Sequence, residues 1–274
     1  MAIATPEFDY LRQLVMERSA IVLEPGKEYL AESRLLSLAR RTGCENVESL
    51  LARLKSAPEN GLHSQVVEAM TTNETLFFRD AHPFEMFRTR ALPDLIASRS
   101  SERRLTILCA ACSSGQEPYS IAMLVKEHFP QLASWSLRLM AADLSTEILA
   151  RARAGRYSQL EVNRGLPAAY LVKYFRRQGI DWEISEEIRR MVEFFPMNLA
   201  GPWPFLPALD VVFMRNVLIY FDIPTKKSIL AKARGVLKPD GHLVLGGAET
   251  TFNVDEGFER FPGATAGWYR LRMN

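Results

Sequence analysis

LTILCAACSSGQEPYS, residues Leu105 to Ser120, is the stretch that decides the fold. Thr106, Ile107, Leu108 and Cys109 make a short apolar run rich in strand formers. Small residues follow from Ala110 through Ala111, Cys112, Ser113 and Ser114 to Gly115. Gln116, Glu117 and Pro118 then open a helix that runs on through Tyr119, Ser120, Ile121, Ala122 and Met123. Strand, tight turn and helix in this order form the opening of a nucleotide-binding α/β unit. Small residues let backbone approach a ligand, and a helix N-terminus favours polar or anionic groups. Gly115 is the only glycine of the turn, so it is not the G-x-G-x-x-G of a dinucleotide site, and an ordinary βα turn is the alternative.

Downstream residues extend the pattern. Leu137 to Ala142 (LRLMAA) forms a second apolar run that ends in Asp143, where an acidic side chain reaches ribose hydroxyls. Ser145 caps a following helix, with Thr146 and Glu147 in its first turn. Val211–Met214 and His242–Leu245 supply two more buried strands. The ligand crevice of such a sheet lies at the carboxyl ends of its strands, so Gly115, Asp143, Asn198 and Asn216 converge there.

Composition sets the bounds. The 274 residues are 47% hydrophobic, enough for one large domain plus a small one. Lys and Arg total 34 against 32 Asp and Glu, a net charge of +2 that disfavours a dedicated nucleic-acid binder. No apolar run approaches the ~18 residues of a membrane span, and MAIATPEFDY has no signal-peptide core. A soluble, cytoplasmic protein is the expectation. Cys109 and Cys112 form a lone C-x-x-C with no second pair or nearby histidine, so structural thiols are expected and no metal site.

Residues 1–70 read as all-helical, with apolar stripes Phe8/Leu11/Leu14/Val15, Leu30/Leu35/Leu38/Ala39, Val47/Leu50/Leu51/Leu54 and Leu62/Val66/Val67/Met70. Breaks fall at Pro25-Gly26, Thr42-Gly43 and Pro58 to Gly61. On the second helix Lys27, Arg34 and Arg41 are seven residues apart and share a face, with Arg40 beside it. This is either a solvated face or a docking surface for an acidic helical partner. Residues 71–98 read as a linker and helix: Thr72 or Asn73 caps a helix containing Phe77 and Phe78, and a further helix over 81–98 starts near Pro83 and is interrupted at Pro93. Residues 99–274 form the α/β domain. Within it, Tyr170 to Ser185 reads as a β-hairpin around Gln178-Gly179, an insertion at about 170–190. Met191–Met197 returns to a core strand, Thr225–Leu237 is a helix closed by Lys238-Pro239-Asp240-Gly241, and Gly267–Met273 is a final antiparallel edge strand.

Four stretches, TTNETLFFRD (71–80), AACSSGQEPYSIAM (110–123), DLSTEILARARAGRY (143–157) and DVVFMRNVLIYFD (210–222), together resemble the CheR family of chemoreceptor glutamate O-methyltransferases. The resemblance spans essentially the whole chain. It implies a Rossmann-like S-adenosylmethionine-dependent methyltransferase domain with a small inserted antiparallel β-subdomain, preceded by a small all-α receptor-docking domain. It also implies methyl transfer to glutamate side chains on the cytoplasmic helices of transmembrane chemoreceptors, with S-adenosylhomocysteine as the second product and recruitment to receptor arrays. Matched by motif, Asn73, Thr75 and Arg79 are linker contacts with the cofactor region. Glu117 faces the methionine moiety, Asp143 the ribose, and Asn198 and Leu199 the adenine. Arg215, Asn216 and Val217 form the segment beneath the methionine portion, and Arg79 with Tyr220 flanks the transferred methyl. The turn Arg177-Gln178-Gly179-Ile180 is shorter than in family members that tether to a receptor tail peptide, which argues against that tether and leaves docking to Lys27, Arg34, Arg40 and Arg41. Two rival readings are a nucleic-acid methyltransferase and a non-catalytic S-adenosylmethionine-sensing module. Against the first, Arg215-Asn216-Val217 is no N-P-P-Y-like element; against the second, Arg79 and Tyr220 are both present.

Overall fold

The structure, a computed structural model, describes residues 3–58, 60–264 and 267–272. Glu59 and Met273, which fall in the expected third break and final strand, lie outside the described residues. The chain divides into two compact units, Met1–Thr72 with Tyr220–Thr225, and Asn73–Ile219 with Lys226–Asn274.

Among its described residues up to Thr72, the smaller unit carries α1 (Thr5–Ser19), α2 (Glu28–Arg41), α3 (Val47–Ser56) and α4 (Gly61–Ala69). Each buries the stripe expected of it, except that Leu30 and Leu62 are only half-buried. Asn46 and Asn60 accept backbone N–H bonds at the starts of α3 and α4, satisfying donors that a helix cannot pair internally. Ile21 bridges to Phe221, and Val22 N–H donates to the Tyr220 carbonyl at 2.9 Å, which draws Tyr220–Thr225 into this unit. Arg34 does not stand free on the basic face of α2. Its Nη1 donates to the Met70 carbonyl at 2.6 Å and its Nη2 to Thr72 Oγ1 at 2.8 Å, so it closes the carboxyl end of α4. Lys27, Arg40 and Arg41 are exposed.

The larger unit carries β1 (Arg104–Ala110), β2 (Ser136–Asp143), β3 (Arg156–Ser158), β4 (Phe175–Gln178), β5 (Asp181–Ile184), β6 (Val192–Pro196), β7 (Leu209–Met214), β8 (Leu237–Leu245), β9 (Phe258–Arg260) and β10 (Trp268–Leu271). The main sheet runs β6-β2-β1-β7-β8-β10-β9, parallel from β6 to β8, with β10 antiparallel to both neighbours. All six residues of β7 and all but the first of β1 are buried, as strands covered on both faces must be. Order reverses at β1, where β2 lies on one side and β7 on the other, and this switch point is where such sheets bind ligands.

Six local expectations change. The final strand β10 is antiparallel as expected but lies between β8 and β9, so β9 is the edge strand. The segment 71–80 is not helical; Phe77 is buried edge-on against Tyr157 and Phe175, with centroids 4.9 and 5.6 Å apart, and this packing overrides the cap signal. Pro93 does not interrupt its helix. A wide turn over Phe87–Ala91 precedes it, with Leu92 N–H bonding back to the Phe87 carbonyl, which makes room for the ring and its missing donor. The inserted β-structure has a third strand, β3, paired to β5, and Ala168–Tyr174 is a helix. β6 is the sheet's edge strand and only partly buried. Lys238 to Gly241 belongs to β8, with a register shift, because Lys238 pairs with Asp210 at 2.9 Å and Asp240 with Arg99.

His242 on β8 is buried against Trp268 and Phe261, at centroid distances of 5.5 and 5.0 Å. Burial lowers its pKa to about 4, although Asp240 and Asp94 pull the other way. Between that value and the unfolded value of ~6.5 the unfolded chain binds more protons, so stability is lost as pH falls through this window. In urea titrations the unfolding free energy of the protein relative to His242→Phe should fall by about 1–3 kcal/mol from pH 6.5 to 4. A pH-independent difference would refute the burial account.

Candidate active site

The site is built at the carboxyl ends of β1, β2, β6, β7 and β8. The turn after β1 places Ala111 and Ser113 at positive φ, 59° and 50°, and Gly115 at 93°. Gly115 is required there. A Cβ on it would meet Tyr119, Ala152 and Tyr157 atoms at 3.1–3.2 Å, so the bare backbone serves close packing of the next helix, Gln116–His128. Cys109 and Cys112 are buried and burial raises both thiols well above the ordinary range, which makes them packing groups. Among the described residues no cluster of three or more His, Cys, Asp or Glu could hold a metal ion.

Asp143 ends β2. Its Oδ2 accepts from Ser113 N–H at 2.8 Å and its Oδ1 from Ser145 N–H at 3.1 Å. The aspartate therefore ties the β1 turn to the next helix start while holding its carboxylate at the switch point. Met197 N–H bonds to the Asp143 carbonyl at 2.9 Å, which brings Asn198 and Leu199 alongside. The Asn198 side chain accepts from Ala200 N–H at 3.0 Å. Lys232 closes this loop: its ammonium donates to the carbonyls of Leu199, Ala200 and Gly201 at 2.5, 3.1 and 2.8 Å. Nothing in the local sequence pointed to Lys232.

The segment 73–80 is pinned to the same edge. Ser113 Oγ donates to the Asn73 carbonyl at 2.8 Å, and Phe78 N–H donates to Ser120 Oγ at 3.0 Å. Arg215, just past β7, holds the far end: Nη2 donates to the Arg79 carbonyl at 2.8 Å and to Asp80 at 2.9 Å. Its Nη1 donates to Glu117 at 2.8 Å. Thus Arg79, Glu117 and Arg215 come together, Asn73 is held against the β1 turn by Ser113, and Thr75 is half-buried. The motif match puts Arg215 among the cofactor contacts; its Nη1 and Nη2 also bond to protein partners, so it braces Glu117 against the segment 73–80. Burial pushes the Glu117 carboxyl above the usual range, and Arg215 pulls it part of the way back. Two buried carboxylates, Glu117 and Asp143, fit a ligand with a cationic amino-acid end and ribose hydroxyls.

Asn216 lies at φ 57°, and the backbone N–H groups of Asn216, Val217, Leu218 and Ile219 all point to Glu249, a residue sequence reading passed over. Tyr220 belongs to the smaller unit and Arg79 to the larger.

Replacing Arg215 by Met leaves Glu117 buried without its cation. Removal of one partner of a buried pair costs about 3–5 kcal/mol, measurable by denaturant unfolding. Lys at this position should recover little, because one ammonium cannot reach Glu117, Asp80 and the Arg79 carbonyl as a planar fork does. A stability loss under about 1 kcal/mol would reduce the brace to a surface-type pair.

Comparison with known proteins gives the family. Residues 73–266 match the family described as "CheR methyltransferase, SAM binding domain", and residues 6–71 match "CheR methyltransferase, all-alpha domain". The chain is 40% identical over 264 residues to "Chemotaxis protein methyltransferase 1" of Pseudomonas aeruginosa, covering 94% of this chain and 95% of that one. It is 38% identical to "Chemotaxis protein methyltransferase Cher2" of Pseudomonas putida, with the same coverage. Against "Chemotaxis protein methyltransferase" of Vibrio anguillarum it is 35% identical over 262 residues, covering 94% of each chain. With both domains matched in order over most of its length, and with relatives 35–40% identical, the chain belongs to the CheR family of S-adenosylmethionine-dependent chemotaxis methyltransferases.

Proposed function

We propose that the chain methylates glutamate side chains on the cytoplasmic helices of chemoreceptors, giving methyl esters. The observation that carries this reading is Arg79, presented by a segment pinned at Asn73, Phe78 and its own carbonyl, and joined through Arg215 to buried Glu117. S-adenosylmethionine supplies the electrophilic methyl on its sulfonium. Glu117 receives its amino-acid end, Asp143 the ribose, Asn198 and Leu199 the adenine side, and Asn216 and Val217 underlie the methionine portion, with Asn73 and Thr75 lining the linker side.

The acceptor makes modest demands. A glutamate with a pKa of ~4.3 is already ionised at pH 7, so no general base is required. The work is orientation of a carboxylate oxygen toward the methyl and exclusion of water. Arg79 orients the acceptor by a charge-assisted bond to its second oxygen. A grip that were too strong would stabilise the ground state, so orientation is the role assigned.

Recognition is assigned to the exposed basic residues Lys27, Arg40 and Arg41 rather than to a receptor tail, because only the two residues Gly179 and Ile180 separate the last paired residues of β4 and β5. Arg34 supports this face from within. Among the described residues no helix is long and apolar enough to cross a membrane, so membrane-embedded receptors would be met through their cytoplasmic parts.

The deciding experiment incubates radiolabelled S-adenosylmethionine with receptor-enriched membranes and measures methanol released by base. Label appearing in nucleic acid, or no base-labile label at all, would sink the reading. Arg79→Ala should lower the rate by more than tenfold while S-adenosylhomocysteine affinity, read by calorimetry, changes less; a fully active Arg79→Lys would show that charge alone suffices. Reversing Arg40 and Arg41 to Glu should raise the apparent KM for receptor several-fold at low salt and less at high salt, with cofactor affinity unchanged. Equal receptor KM at low salt would return this face to plain solvated surface.

A further inference from the structure

We infer that Glu249 is a positioning residue of the transfer site: its carboxylate shapes the backbone of Asn216–Ile219 into the form that binds the cofactor. The inference rests on the proposal that Asn216 and Val217 underlie the methionine portion.

Glu249 is buried in the loop that follows β8. Its Oε2 accepts from the N–H groups of Asn216 and Gly246, both at 2.7 Å. Its Oε1 accepts from Val217 at 2.9 Å, Leu218 at 2.7 Å and Ile219 at 3.4 Å. An ionised carboxylate offers about four acceptor positions, so five backbone donors fill it. It therefore serves the site through the loop rather than by direct contact with a ligand. Hydrogen bonds to a charged acceptor are roughly twice as strong as neutral ones, and here they converge on the turn that begins at Leu218.

The surroundings show the same design. Asn216 holds a left-handed φ of 57°, a conformation uncommon outside glycine that Asn adopts where its neighbours favour it. β7 and β8 are adjacent and in register at Met214 and Leu245, so the two loops leaving them start side by side. Glu249 links them by taking one donor from the β8 side and four from the β7 side. Gly246 keeps the space open: a Cβ there would lie 2.6 Å from Asn216 Nδ2 and 2.8 Å from Glu249 Oε2. Removing the anchor lets Asn216 relax from its left-handed state, and its side chain and the Val217 backbone leave their places.

Glu249→Gln is isosteric but turns an amide NH2 toward backbone donors. It should weaken S-adenosylhomocysteine binding, read by calorimetry, by at least tenfold, raise the KM for S-adenosylmethionine more than it lowers kcat, and speed hydrogen exchange of the Asn216–Ile219 amides at least tenfold while β1 amides keep their protection. Glu249→Asp, which keeps the charge on a shorter arm, should recover part of the affinity. Wild-type affinity in Glu249→Gln overturns the inference. Asn216→Ala then shows how far the failure reaches: weak binding there confines it to Glu249, and wild-type binding there removes the cofactor reading of the loop as well. If Glu249→Gln does not fold, Glu249→Asp decides by exchange, and unchanged protection of Asn216–Ile219 in that variant overturns the inference.

Discussion

The larger unit depends on one buried guanidinium. Arg215 leaves the end of β7 and binds Glu117 at the start of the helix after β1, and the Arg79 carbonyl and Asp80 at the end of the segment 73–80. Its ring-face contact with Phe84, 5.6 Å from the centroid, adds an apolar neighbour to the charged ones. A cation buried this deeply is tolerable only when paired and hydrogen-bonded. The arrangement therefore cannot be rebuilt piecemeal: strand end, helix start and linker are held in one geometry or the charge is left stranded. A methyl transfer that relies on alignment rather than on proton movement needs that kind of rigidity.

Two further anchors divide the remaining edge. Lys232 gathers three carbonyl oxygens of the loop after β6, and Glu249 gathers five N–H groups of the loops after β7 and β8. One is a cation satisfying acceptors, the other an anion satisfying donors. Both order irregular backbone that neither helix nor sheet can pair, which buried loops require. The loops that carry the proposed cofactor contacts are thus held by charged side chains.

At the opposite edge of the sheet Arg99 plays a comparable structural part. It binds buried Asp210 at 2.8 Å and also Asp240, while Asp210 accepts from Thr106 N–H at 2.8 Å and from Lys238 at 2.9 Å. This network joins β1, β7 and β8 where they enter the sheet. It explains why a Lys-Pro-Asp-Gly stretch that reads as a loop lies within β8.

By itself the sequence determined the features that arise from local periodicity. The four apolar stripes of residues 1–70 could be buried only as helices, and the small-residue turn after Thr106–Cys109 led to strand, turn and helix. Asp143 followed by Ser145 specified an acidic strand end and a cap, and both stand where the residues put them. Tertiary structure decided whatever depends on partners far along the chain. Phe77 lies outside any helix because Tyr157 and Phe175 receive its ring; Arg34 is a clamp because Met70 and Thr72 lie across from it; and Arg215 is a brace because Glu117, 98 positions earlier, comes to meet it. Glu249 was illegible for the same reason. A carboxylate near the end of a strand carries no local signal that its partners are the backbone N–H groups of a loop about 30 residues earlier, since hydrogen-bond donors common to every residue leave no mark in the sequence.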